Sequence, residues 1–194
     1  MKICGRPALA GLLLLSIACA RTRPAEPELV ETATIKDIMD SMVDPSADYL
    51  FESVAMIADE HGITQKAPHT DDEWKEVRRR VVQLLEAPNL LVMRGRKAAR
   101  PGERSENPEV ELQPEQIQAL LDADRRAFVT RARALQDAAL PALAAVDSKN
   151  ATALFEAAGQ VDKACENCHL HYWYPNDKRA QEAARQAESP ARQD

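Results

Sequence analysis

The chain has 194 residues, enough for one domain with length left over for a leader, a linker and a tail. Hydrophobic residues make up 45%, which suffices for a core, and only six glycines among abundant Ala, Leu, Glu, Arg and Gln favour helix over sheet. A formal charge of −6, with no basic patch or nucleic-acid motif, makes nucleic acid a poor candidate partner.

Residues 1–20 have the three parts of an export signal: basic Lys2 and Arg6, an apolar run from Pro7 to Ala18, then small residues. The run is too short to span a bilayer as a helix. Two processing routes fit. Ala18-Cys19-Ala20 matches a small-residue cleavage site that releases a soluble protein. The stretch LSIAC also resembles a bacterial lipobox, in which Cys19 becomes lipid-modified and supplies the sole membrane anchor; Ser16 departs from the usual Leu there. Both routes place the protein in the periplasm, soluble or lipid-anchored.

Residues 21–33 read as a polar, Pro-containing linker. From Thr34, a cap with Asp37 three residues on, apolar positions Ile35, Ile38, Met39, Met42, Ala47, Leu50 and Val54 predict a helix kinked at Asp44-Pro45 and ending near Gly62. A second helix opens at Thr70–Asp72, carries the stripe Trp74, Val77, Val81, Leu84 and Leu85, and ends at Pro88-Asn89. Residues 94–113 have no apolar period and read as a long surface connection. A third helix starts at Pro114, buries Ile117, Leu120, Leu121, Phe128, Ala132, Leu135 and Ala139, and kinks at Pro141. The fourth, capped by Asp147 or Asn150, puts Leu154, Ala158, Val161, Cys165, Cys168, His169 and Tyr172 on one side, and Pro175 closes it. The polar tail, 176–194, is expected to fray. Four amphipathic helices over 34–175 predict an all-α fold, an antiparallel four-helix bundle.

Within the fourth helix, residues 163–178 read KACENCHLHYWYPNDK. In a chain only 4% aromatic, this stretch holds Cys165, Cys168, two of four histidines and three aromatics. Cys165-x-x-Cys168-His169 is the attachment signature of c-type haem. Residues three and four apart share a helix face, so both thiols can bond one haem while His169 takes its iron as proximal ligand. Zinc is a rival, but Cys165, Cys168 and His169 or His171 supply only three ligands, and His61 and His69 stand alone. A redox C-x-x-C usually opens a helix after a strand, and none is evident here. A structural disulfide is the third rival. One signature implies one covalent haem c.

The run D-K-A-C-x-x-C-H-x-x-Y from Asp162 to Tyr172, on the last of four helices, resembles the cytochrome c prime family, over roughly residues 34–174. Trp173 stands where members usually carry Arg or Lys. The resemblance implies that the first helix supplies the other axial position: apolar in gas-binding members, a Met thioether in electron-carrying ones. Matching "IK" to the family's helix start places Met42 there, with Met39 on the same face as the alternative. His61, His69 and His171 are weaker candidates. Trp74, Phe128, Phe155, Tyr172 and Trp173 either line the haem or serve as plain core. Members often dimerise through their first two helices, so a homodimer is one implied arrangement.

The leading expectation is an exported monohaem electron carrier, its iron held by His169 and Met42. The acidic net charge suits a redox partner with a basic docking surface. The alternative is a five-coordinate protein that binds nitric oxide or carbon monoxide. No paired carboxylates or nucleophile–base set points to an enzyme.

Overall fold

Thr34 opens the first helix as its sequence predicts. Its hydroxyl accepts from Asp37 N at 3.1 Å, and Asp37 Oδ2 accepts from Thr34 N at 2.9 Å. The computed structural model describes residues 29–60 and 62–188. The leader, both cleavage readings, Cys19 and His61 lie outside the described residues.

The described chain is mostly helical: α1 (Ile35–Ile38), a π segment (Met39–Val43), α2 (Asp44–Ser53), strands β1 (Ala55–Asp59) and β2 (Gly62–Lys66), then α3 (Asp71–Leu91), α4 (Pro114–Ala123), α5 (Arg125–Asp147), α6 (Ala151–Tyr172) and α7 (Lys178–Glu188). Helix α5 packs against α3 and α6, and α2 packs against the same two. Their shared core includes Leu50, Val77, Val81, Leu84, Leu154 and Val161, all but inaccessible to solvent. No helix among the described residues is long and apolar enough to cross a membrane.

Four boundaries differ from the sequence reading. The first helix stops at Ser53 rather than Gly62. Val54 is extended (φ −135°, ψ 132°), and β1 and β2 pair as an antiparallel hairpin, with Met56 opposite Gln65 and Ile57 opposite Thr64. The β-branched residues of this stretch suit strand, and Gly62 takes a φ of 121° that helix would not allow. Helix α3 runs through Pro88 to Leu91, because the last turn is held by burial of Ala87, Pro88 and Leu91. The expected third helix is two, and Leu120, expected on its buried face, is exposed. Asp124 leaves helical geometry (φ −140°, ψ 73°), ends α4, and caps α5 by accepting from Ala127 N at 2.9 Å. Finally, the tail carries α7. Asp177 caps it through Ala180 N at 3.1 Å, and its Ala, Gln, Glu, Lys and Arg are strong helix formers.

The connection between α3 and α4 is stitched to the helices it links. Ile35 N and Lys36 N, two amides that α1 cannot satisfy internally, donate to Lys97 O (2.8 Å) and Ala98 O (2.9 Å). Buried Arg96 donates to Leu90 O at 2.7 Å and also to Ala33 O. Leu112 N donates to Trp173 O at 2.7 Å, which fastens the far end of the connection to the end of α6.

Candidate functional site

Asn150 starts α6 by accepting from Ala153 N at 3.0 Å, which sets the phase of every later residue on the helix. Three turns on, the buried stripe Leu154, Ala158 and Val161 continues into Cys165 and Cys168, both half-buried free thiols packed against the core. Cys168, His169, Tyr172 and Trp173 then border an apolar cleft of about 720 Å³, part of it open to solvent.

Ile35 and Met39 of the first helix, Ala98, Ala99 and Leu112 of the connection, and Ile117, Leu121 and Phe128 also line the cleft. Of the two methionines singled out in the sequence, Met39 borders the cleft and is buried, whereas Met42 does not border it. The π segment explains the difference. Asp44 N donates to Met39 O, five residues back, so the turn takes up more residues than an α turn. Residues three apart then diverge, and Met39 and Met42 no longer share a face.

The other sequence candidates divide as follows. Phe128, Tyr172 and Trp173 border the cleft; Trp74 is buried elsewhere and Phe155 is exposed. His171 is exposed and meets the edge of Tyr172 at 4.5 Å between ring centroids. His69 precedes α3, its amide donating to Glu73. Cys165 sits one turn before the cleft on α6 and is not part of its lining. Among the described residues no group of three or more His, Cys, Asp or Glu is arranged to hold a bare metal ion.

Burial dominates the electrostatics. It pushes the Cys165 thiol to about 12, helped by the nearby Asp162 charge, and Cys168 to about 11. It pulls His169 below the ordinary histidine range, against the carboxylates of Asp44 and Glu166. The same burial raises Asp44, which His169 partly offsets. A neutral imidazole with an available lone pair is the form a metal takes. Tyr172 Oη is buried with no hydrogen-bond partner among the described residues. Its ring meets Phe128 edge-on at 5.6 Å.

Two contacts lay beyond the reach of sequence reasoning. Tyr174 Oη donates to Glu166 Oε2 at 2.9 Å and lies 3.3 Å from His169 Nδ1. Burial, and then the bond to Glu166, raises the Tyr174 hydroxyl well above its ordinary range, so it keeps its proton. Glu166 is the first variable residue of C-x-x-C and lies three before His169 on the same helix face. That spacing was the available signal; Tyr174 lies past the helix end, where periodicity says nothing.

No family model matches this chain, nor does any curated protein or solved structure.

Proposed function

We propose that the protein is an exported monohaem c-type cytochrome of cytochrome c prime type that carries electrons. In this reading α2, α3, α5 and α6 form the four-helix bundle, which the reciprocal packing of α5 and α2 against α3 and α6 supports. Cys165 and Cys168 hold the haem covalently, His169 is the proximal ligand, and a methionine of the first helix is the sixth. The observation that carries the reading is one apolar cleft lined by Cys168, His169 and Met39 together.

The residues present fit a haem. The exposed surface of the cleft is largely apolar, as a porphyrin face requires, with Lys36, Arg104, Glu106 and Glu111 also among its lining. The haem iron supplies the one-electron couple. His169 and a thioether would fill both axial positions and leave none for a substrate. The cleft geometry favours Met39 for the thioether over Met42, which the sequence match placed first. The leader-like residues 1–20 agree with attachment outside the cytoplasm, followed by a periplasmic location, free or anchored through Cys19. A redox partner with a basic docking surface suits the net charge of −6.

The test is covalency. Purified protein that is denatured and extracted with acid–acetone keeps its haem, and Cys165→Ala with Cys168→Ala abolishes this. Freely extracted haem, or stoichiometric zinc in its place, overturns the proposal.

A further inference from the structure

The contact between Tyr174 and His169 has a direction that can be worked out from hydrogen counts. An ionised Glu166 can only accept, and Tyr174 Oη has a single hydrogen. At 2.9 Å that hydrogen goes to Glu166 Oε2. The hydroxyl oxygen then faces His169 Nδ1 at 3.3 Å, just past the usual N–H···O range, with only lone pairs to offer. Neutral imidazole carries one N–H, and the contact is attractive only if that hydrogen sits on Nδ1. Nε2 is thereby left with its lone pair. Two further contacts hold the ring in this pose. Trp173 meets the imidazole edge-on at 5.4 Å and Tyr174 at 5.7 Å between centroids. The backbone supports the same arrangement, since Trp173 N (2.8 Å) and Tyr174 N (3.0 Å) both donate to His169 O and fold the chain back over the ring.

We infer that Glu166 and Tyr174 are positioning residues for the axial imidazole: through a chain from Nδ1–H to the Tyr174 hydroxyl to the Glu166 carboxylate, they fix the tautomer and make Nε2 a stronger donor to iron. The inference rests on the haem reading above. A carboxylate behind a ligating histidine raises ligand basicity, which favours the more highly charged state of a metal. The pair therefore holds the reduction potential down, opposing a thioether ligand, which raises it. Neither residue need touch the haem to do this.

The experiment is potentiometric titration of the full, haem-loaded protein. Tyr174→Phe keeps the ring packing and removes the hydroxyl. Its midpoint potential rises, on the order of a tenfold shift in the reduction equilibrium, or about 59 mV for a one-electron couple. Glu166→Gln keeps an acceptor but loses the charge, so it shifts the potential the same way by less. It also carries the test if Tyr174→Phe fails to fold. An unchanged or lowered potential in the variants overturns the inference while leaving covalent haem in place. A chain that takes up no haem overturns the haem reading, and the inference that rests on it falls with it.

Discussion

Met39 and His169 border one apolar cleft from opposite ends of the described chain, the first in the π segment of the opening helix, the second in the last turn of α6. Met39 is buried there, whereas Met42 packs elsewhere on the core. Met39→Ala is therefore expected to turn low-spin oxidised protein high-spin and to let the reduced form bind carbon monoxide readily. Met42→Ala should leave the optical spectrum largely intact. Exchanged outcomes would return the ligand to Met42. Wild-type protein that is already high-spin and takes up carbon monoxide at once would exclude both, and the gas-binding reading would replace electron transfer.

Arg96 is the buried anchor of the connection that lines part of the cleft. Arg96→Ala removes the side-chain donor to Ala33 O, leaves Leu90 O to backbone donors such as Met93 N, and is expected to cost roughly 2–3 kcal/mol in chemical denaturation. Hydrogen exchange locates the damage. The amides of Ile35 and Lys36, bonded to the carbonyls of Lys97 and Ala98, should exchange faster while those of α5 hold steady.

Acid sensitivity should arise at the helix starts. Asp37 is held below the ordinary carboxylate range chiefly by the backbone N–H and hydroxyl of Thr34, and Glu73 by the amides of His69 and Thr70. Both folded values lie below the unfolded ones. Their contribution is present at pH above the ordinary carboxylate range and is lost as pH falls through the folded values. Asp37→Asn with Glu73→Gln is expected to lower stability at neutral pH and to flatten its decline on acidification. Equal slopes for variant and wild type would show that the caps are not the acid-sensitive groups.

The turn between α5 and α6 holds a strained residue. Lys149 adopts φ 51°, while Asn150 N donates to Ala145 O (2.8 Å) and Lys149 N to Val146 O (3.0 Å), a helix ending that usually carries glycine. The left-handed conformation costs a non-glycine residue roughly 1–2 kcal/mol, and glycine's greater unfolded freedom returns about 0.5–1 kcal/mol of that. The exposed ion pair to Asp71 adds little. Lys149→Gly should raise the melting temperature by about 1–4 °C at this chain length, and a lowered value would refute the assignment of strain.

The legible part of this molecule is local. The caps Thr34, Thr70 and Asn150 stand where their side chains announce them, and the spacing of Cys165, Cys168 and His169 is what nominates them as a candidate site. The hairpin went unread because Ala55 to Ile57 continues an apolar helical pattern while only Val54 and Gly62 argue against it. The order of Met39 and Met42 turns on one inserted residue in a π segment, which periodicity at 3.6 averages away. The connection looked like idle surface because its bonds run to Ala33, Ile35 and Trp173, partners about 60 residues or more away in the chain, as with Arg96 and Ala33. Its apolar lining residues are few, so no pattern marks them.

Packing that raises the thiols to about 12 and 11 also sets a calendar for the chain. Sulfur reacts as thiolate, and at neutral pH a thiol with a pKa near 11 is ionised in only about one molecule in ten thousand. Once α6 has docked, Cys165 and Cys168 are chemically quiet, towards oxidants and towards one another. Any covalent bond they are to form is made more readily while this helix is still undocked, with its sulfurs in water. Docking of α6 then seals whatever has been joined to them.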